Sequence, residues 1–115
     1  VNMSSIAGLV GGPIGVAYFA GKAGVIGATK AAAVEYGEKG IRVNAICPAV
    51  IQTDMADRLF DPIGGAAGEK ISSMHALGRI GTAQEVANAV VWLCSDRASF
   101  VTGHALPVDG GFTAK

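Results

Sequence analysis

Short apolar segments alternate with longer, proline-free segments, and this alternation constrains the fold more than any other feature of the chain. The first segment, "VNMSS" (residues 1–5), is apolar and ends in hydroxyl residues, which predicts a strand running into a loop. Residues 16–36 contain no proline and many alanines, which predicts a long helix. Gly37 and Gly40 mark the end of that helix. The alternating segment 41–46 predicts the next strand.

The last third of the chain again predicts a helix followed by a strand. Thr82 and Glu85 fit a capping box, in which Thr82 is the N-cap and Glu85 reaches back to it. The helix predicted over 84–95 has apolar residues around nearly its whole circumference, so we expect it to be well buried. Residues 105–108 predict a last strand followed by a turn. Strands separated by helices indicate parallel βαβ units, and therefore an α/β fold with a helix-covered parallel sheet.

The predicted sheet looks incomplete. A parallel sheet is buried on both faces and needs neighbours at its edges, yet the apolar segment at Val1 would be an exposed edge. The chain also starts with valine, directly inside a strand. We therefore expect the sequence to be a piece of a longer protein. The first half of a doubly wound domain would be missing from this piece.

Residues 54–80 are less regular. Residues 55–60 predict a short helix, residues 61–70 a flexible break, and residues 70–77 another short helix. Insertions of this kind often form lids or binding loops. We expect the 54–77 segment to close over a substrate, with apolar candidates at Met55, Leu59, Phe60 and Met74. Such a lining suggests a nonpolar or mixed substrate, although the same side chains could simply pack the lid.

Composition excludes several classes of function. The chain has 9 basic and 9 acidic residues, so charge gives no reason to expect binding to nucleic acid or to an anionic membrane. Cys47 and Cys94 lie in apolar surroundings outside any CxxC or Cys/His cluster. We expect each to be a small buried thiol in a reducing compartment, and we expect no metal site. His75 and His104 are expected to be ordinary loop or interface residues.

Tyr18 and Lys22 are the first candidates for chemistry. They stand four positions apart in the predicted helix, and side chains at this spacing share a face. An ammonium near a phenol favours the phenolate and lowers the phenol pKa, which suits a general acid or base near neutral pH. The alternative is a surface tyrosine beside a solvated lysine.

Two other segments are predicted at the same edge of the sheet. Ser5 lies at the end of the first strand, thirteen residues before Tyr18, and residues 47–53 follow the second strand. Ligands of open α/β sheets bind beyond the carboxyl ends of the strands. These loops therefore predict one crevice, in which the Ser5 hydroxyl could bond a substrate oxygen. A local serine turn remains the alternative for Ser5, and a capping hydroxyl for Thr53.

Taken together, these motifs resemble the C-terminal half of a short-chain dehydrogenase/reductase. The resemblance covers nearly all of the chain outside residues 56–77. It rests on four stretches of the sequence, which are "VNMSSIAG", "AYFAGKAGVIGATKAAAVEYGEKGIRVNAICPAVIQTDM", "GRIGTAQEVANAVVWLCSD" and "TGHALPVDGG". It implies a Rossmann-like doubly wound parallel sheet with three αβα layers, of which residues 1–115 are the catalytic portion.

The resemblance also implies an NAD- or NADP-dependent oxidoreductase that interconverts a secondary alcohol and a ketone, with a sugar, a steroid, an acyl-carrier-linked ketone and a small cyclic alcohol all open as substrates. Tyr18 would be the acid/base, Lys22 would lower its pKa and bond the nicotinamide ribose, and Ser5 would orient the substrate oxygen. The cofactor would also contact the loop after the second strand, at Pro48, Ala49, Val50, Ile51 and Thr53. Hydride transfer is the chemistry of the cofactor.

The family usually has Pro-Gly where this chain has Pro48-Ala49, and an alanine there would be strained only if its φ were positive. The family's dinucleotide-binding glycine loop is absent, so an inactive fragment or a non-enzymatic association module is the alternative function. A smooth stripe on the long helix, formed by Ala20, Gly24, Gly27 and Ala31, could pack against another helix or against the chain's own sheet. The resemblance implies a cytoplasmic homodimer or homotetramer.

Overall fold

A computed structural model of the chain describes residues 1–13, 15–54, 56 and 65–115. The strands are β1 (Asn2–Met3), β2 (Ala45–Pro48), β3 (Ile51–Gln52), β4 (Gly81–Thr82) and β5 (Ala105–Val108). The α-helices of the described part are α1 (Val16–Tyr36), α2 (Gly65–Ser73) and α3 (Ala83–Cys94). Short 3₁₀ turns lie at Ile6–Gly8, Gly37–Lys39 and Asp96–Ala98.

The strands form parallel sheets. The main sheet has the order β1-β2-β5, and Ala45 of β2 pairs with Asn2 on one side and Ala105 on the other. A separate small sheet pairs β3 with β4. Helix α1 connects β1 to β2, and α3 precedes β5, so the predicted parallel α/β fold is confirmed.

Strand β2 lies at the centre of the core. Ala45, Ile46 and Cys47 are completely buried. Ile46 packs with Val86 and Leu93 of α3, whereas its neighbours on the strand point to the other face of the sheet. Burial raises the pKa of the Cys47 thiol, although hydrogen bonding with Ser4 and Ser5 opposes the change. The expected buried thiol is thus confirmed at this position.

The second strand starts later than the predicted segment 41–46. The paired strand begins at Ala45, although the carbonyls of Val43 and Asn44 already accept main-chain hydrogen bonds from Gly103 and Asn2. Before that point, the N–H of Val43 donates to the Thr102 side chain at 3.0 Å, and the Asn44 side chain donates to a loop carbonyl at 2.8 Å. Pro48 is the last residue of the strand, as predicted.

Part of the predicted break at 61–70 is helical. Helix α2 begins at Gly65 and ends at Ser73, so the helix predicted over 70–77 starts earlier and stops sooner. Alanines and the Glu69-Lys70 pair favour helix, and a glycine in a helix costs only about 1 kcal/mol. Most of the short helix predicted at 55–60, with Met55, Leu59 and Phe60, lies outside the described residues.

Helix α3 is capped as predicted but less buried than predicted. Thr82 accepts a hydrogen bond from the Glu85 N–H, and Glu85 accepts one from the Thr82 N–H. Val86 and Leu93 face the core, while Val91 is 68% exposed and Trp92 is 40% exposed. Only one side of the helix meets the sheet of this chain, so its other apolar residues remain uncovered.

Other apolar surfaces are open as well. Met3 on β1 is 52% exposed, because β1 pairs with β2 and with no second strand in the described part of the chain. Cys94 is exposed, so its predicted burial is wrong. No helix among the described residues is long and apolar enough to cross a membrane.

Candidate functional site

The start of α1 is fastened to the end of β1. The Ser4 hydroxyl, which is buried, donates to the carbonyl oxygen of Lys22 at 2.8 Å. Gly8 lies against the same turn, since a Cβ there would be 2.8 Å from the Lys22 carbonyl oxygen and from the Ser4 hydroxyl. A side chain at residue 8 would therefore push the helix away from the strand.

Tyr18 and Lys22 come together on this part of α1. The Lys22 Nζ atom lies 5.7 Å from the centre of the Tyr18 ring, so the prediction that the two side chains share a face is confirmed. Lys22 Nζ also donates to the carbonyl oxygen of Met3 at 3.4 Å. Tyr18 is 45% exposed, and its ring packs edge-on against Phe19. The phenol is therefore accessible to a small molecule.

Ser5 connects the ends of β1 and β2. Its Oγ atom accepts a hydrogen bond from the Ala7 N–H at 3.2 Å, so the serine turn weighed above does form. The same hydroxyl is 3.5 Å from the Pro48 carbonyl oxygen, to which it donates. Ser5 thus stands at the carboxyl ends of two adjacent strands, beside the first residue of the predicted cofactor loop.

That loop, Pro48–Thr53, is held at two points. The Ala49 N–H donates to the Val108 carbonyl at 3.3 Å, and the Val50 carbonyl accepts from the Gly81 N–H at 3.0 Å. Positive φ angles occur only at glycines among the described residues, so Ala49 is not strained.

Thr53, at the end of the loop, makes local bonds. Its Oγ1 atom accepts a hydrogen bond from the Ala56 N–H at 3.3 Å. This is the capping contact left open above, and the Thr53 side chain remains exposed.

An apolar hollow of about 530 Å³ borders the loop. Pro48, Ile51 and Thr53 line one side of it, and Met3 lies at the edge of the sheet. Helix α3 supplies the other wall, with Ala83, Val86, Ala87, Val90 and Val91. The lining is almost free of polar groups, which suits the flat face of an aromatic ring.

A charged cluster beside the loop was not predicted. Arg79 donates to both carboxylate oxygens of Glu85, at 2.6 Å and 3.0 Å. The pKa of Glu85 is lowered from 4.5 to about 2. The hydrogen bond from Arg79 is the largest cause, and the hydrogen bonds from Thr82 also lower the pKa. The capping box gave the Thr82–Glu85 contact, whereas nothing local indicated that Arg79 would join it.

His75 lies in the loop after α2, as expected, but its side chain is buried. It is only 3% exposed, with Nδ1 2.9 Å from the Ile71 carbonyl oxygen and its ring edge-on to Phe112. His104 is an exposed loop residue, as expected. In the described part of the chain, no group of three or more His, Cys, Asp and Glu side chains is placed to bind a metal ion.

The helical stripe faces away from the sheet. Ala20, Gly24, Gly27 and Ala31 are all exposed, and a Cβ added at Gly24 or Gly27 would meet no atom within 4 Å. The residues of α1 that are buried against the chain's own sheet are Ile26, Thr29 and Ala33. Packing on the chain's own sheet, one of the two alternatives above, is therefore wrong for the stripe.

The chain is similar to known proteins over nearly its whole length. Residues 1–113 match a protein family described as enoyl-(acyl carrier protein) reductase. The chain is 47% identical over 114 residues to a 2,5-dichloro-2,5-cyclohexadiene-1,4-diol dehydrogenase of Sphingobium indicum. That alignment covers 99% of this chain and 45% of the relative.

Solved structures also match nearly the whole of this chain, and the chain covers less than half of each of them. ElxO with NADP bound superposes with a TM-score of 0.90 at 39% identity, over 99% of this chain and 46% of that one. A 4-hydroxyisoleucine dehydrogenase complexed with NADH superposes with a TM-score of 0.92 at 38% identity, with the same coverage of 99% and 46%. The chain therefore spans about half the length of the proteins it matches.

Proposed function

The chain belongs to the short-chain dehydrogenase/reductase family, and we propose that residues 1–115 are the catalytic portion of a single Rossmann-fold domain. The chain matches about half of each relative, at 45% of the dehydrogenase and 46% of the two structures. The exposed Met3 edge of β1 supports the proposal, because a further strand could pair there. The full-length parent would supply the other half.

We infer that the parent is an NAD(P)-dependent oxidoreductase that interconverts a secondary alcohol and a ketone. The observation that carries this inference is the placement of Lys22 Nζ 5.7 Å from the Tyr18 ring, at the sheet edge where Ser5 contacts Pro48. A phenol, an ammonium and a hydroxyl at one sheet edge can bind a carbonyl oxygen and give it a proton.

Each of these side chains has a separate task in the proposed reaction. In reduction, the Tyr18 hydroxyl donates its proton to the carbonyl oxygen of the substrate, and in oxidation the phenolate accepts the proton of the alcohol. The Lys22 ammonium stabilises the phenolate. The Ser5 hydroxyl donates a hydrogen bond to the same substrate oxygen and thereby fixes its distance from Tyr18.

The described residues fit a nicotinamide cofactor, which would supply or accept the hydride when bound. The apolar side of the hollow at Pro48 and Ile51 suits one face of the nicotinamide ring. The cofactor would be held by Pro48–Thr53, including Ala49 and Val50, and by Tyr18 and Lys22. NADP is bound in one similar structure and NADH in another, so we propose NAD or NADP.

We propose a small, largely nonpolar alcohol or ketone as substrate. Beside Tyr18, an apolar hollow of about 380 Å³ is lined by Gly11, Gly12, Pro13, Gly15, Val16 and Phe19. The relative from Sphingobium indicum acts on a chlorinated cyclic diol, which is in keeping with such a wall. Among the described residues of the predicted 54–77 loop, the exposed Met74 is the candidate for contact with such a substrate.

We propose that the parent is a cytoplasmic homodimer or homotetramer. The exposed small-residue stripe on α1 supports assembly, because an approaching helix would meet little bulk at Gly24 and Gly27. Nothing in the charge balance of 9 basic and 9 acidic residues favours nucleic acid or a membrane as partner.

The test of the reaction is Tyr18→Phe in the full-length parent, with Tyr36→Phe as the matched control. Tyr36 lies on the same helix, with a lysine ammonium 5.0 Å from its ring centre, but far from the sheet edge. Removing the Tyr18 hydroxyl is expected to lower kcat for carbonyl reduction by about 10²- to 10⁴-fold while cofactor binding persists. Nearly intact reduction by the Tyr18 variant would show that the mechanism is wrong.

The second candidate is an inert fragment or an association module. The uncovered apolar surface at Met3 and Val91 favours it for the 115-residue chain by itself. Titration of NADH and NADPH into that chain separates the two possibilities. Micromolar binding would exclude the inert fragment, and absence of binding together with an active parent would support it.

A further inference from the structure

The proposed cofactor loop depends on a support outside the main sheet. Its second half, β3, pairs in parallel with β4, with Ile51 opposite Gly81. The contact is tight, since a Cβ at Gly81 would lie 2.7 Å from the Cδ1 atom of Ile51. Any movement of β4 is therefore transmitted to Ile51, the residue at the centre of the loop.

Strand β4 is in turn fixed by the carboxylate of Glu85. This carboxylate accepts hydrogen bonds from the Thr82 N–H at 2.8 Å and from the Thr82 hydroxyl at 3.1 Å. On the other side of β4, Arg79 donates to it at 2.6 Å and 3.0 Å. The Arg79 guanidinium also donates to the Ile80 carbonyl at 3.2 Å. One carboxylate thus ties together the residues before and after Gly81.

The Arg79–Glu85 cluster is exposed, and its exposure limits what it can contribute to the stability of the fold. The Arg79 and Glu85 side chains are 53% and 43% exposed, and exposed ion pairs add little to overall stability. A bidentate arginine–carboxylate contact nevertheless fixes geometry well, because two parallel hydrogen bonds define both distance and orientation. Loss of the cluster should therefore disturb the local position of β4 more than the fold.

We propose that Arg79 and Glu85 are positioning residues that hold the Ile51 segment of the cofactor loop in place for binding a nicotinamide cofactor. In this role they act through β4. The inference rests on the proposed function for the identity of the ligand. The contact between the cluster and the loop does not depend on that function.

The experiment compares Glu85→Gln and Arg79→Lys with the wild-type full-length parent, and uses Gln84→Ala as the matched control. Gln84 lies on the same turn of α3 but bonds Asn88. We expect Glu85→Gln to raise the Kd for NADH or NADPH about tenfold with kcat changed less than about twofold. Arg79→Lys, which keeps the charge, should lie between Glu85→Gln and wild type, and Gln84→Ala should match wild type.

Amide hydrogen exchange supplies a readout that needs no cofactor. The Gly81 N–H, bonded to the Val50 carbonyl, should exchange about five- to tenfold faster in Glu85→Gln. Unchanged Gly81 exchange, or a lower melting temperature with unchanged cofactor Kd, would overturn the inference. A wild-type parent that binds neither NADH nor NADPH would refute the proposed function, and Gly81 exchange alone would then decide whether the cluster positions the loop.

Discussion

The Lys22 ammonium lies 5.7 Å from the centre of the Tyr18 ring and also donates to the Met3 carbonyl oxygen at 3.4 Å. Its position is therefore set by the strand as well as by the helix that carries it. A lysine held at two points keeps its charge close to the phenol, whereas a freely solvated lysine would spend little time there. This arrangement is the one that the proposed role of the two side chains requires.

Replacing this charge should slow the reaction. In the full-length parent, Lys22→Gln keeps a donor for the Met3 carbonyl but removes the cation that stabilises the phenolate. We expect kcat to fall about 10- to 100-fold, because the ammonium no longer stabilises the phenolate formed during proton transfer. The measurement is the kcat of alcohol oxidation by wild type and Lys22→Gln. A variant with the wild-type kcat would argue against this role.

Gly8 tests the attachment of α1 to β1. A Cβ there would be 2.8 Å from Ile26 Cδ1, the Lys22 carbonyl oxygen and the Ser4 hydroxyl. Because the carbonyl is backbone and cannot turn aside, Gly8→Ala should lower the free energy of unfolding by about 1–3 kcal/mol. Gly11→Ala is the control, since a Cβ at Gly11 meets nothing within 4 Å. Equal denaturant midpoints for both variants would contradict the packing described.

The Glu85 carboxylate gives the pH dependence of the cluster. Its pKa is lowered from 4.5 to about 2 in the folded protein, first by the Arg79 hydrogen bond. A lowered folded-state pKa adds stability that is fully present above pH 4.5 and is lost as the pH falls through about 2. Because the ion pair is exposed, the melting-temperature difference between wild type and Glu85→Gln should be small. It should be constant from pH 7 to about 5 and shrink below that. A difference unchanged down to pH 2 would contradict the assignment.

The stripe on α1 tests the proposed assembly. Gly27 is exposed and open, so Gly27→Leu should be tolerated by the fold but should block close approach of a second helix. Light scattering after size-exclusion chromatography should show a smaller assembly for this variant of the parent. Gln84→Leu, which adds the same side chain at an exposed position of α3, is the control. An unchanged assembly in the Gly27 variant would remove the stripe from the interface.

The main elements were predictable because their signals are local. The 16–36 helix, the Thr82–Glu85 capping box and the 105–108 strand agree with the structure. Each depends on residue preferences or on contacts between residues three or four apart. The order of these elements then favoured a parallel sheet, and this sheet forms.

Contacts outside the regular spacing of helices and strands were decided by the tertiary structure alone. The sequence shows that Ser5 follows a strand and that Glu85 caps a helix, but not that Ser5 reaches Pro48 or that Arg79 bonds Glu85 across β4. It likewise could not show which side of α3 would stay open. Such contacts depend on the path of the chain between elements, on strand register and on which surfaces the rest of the fold covers. These follow from packing the whole chain, and local residue preferences do not determine them.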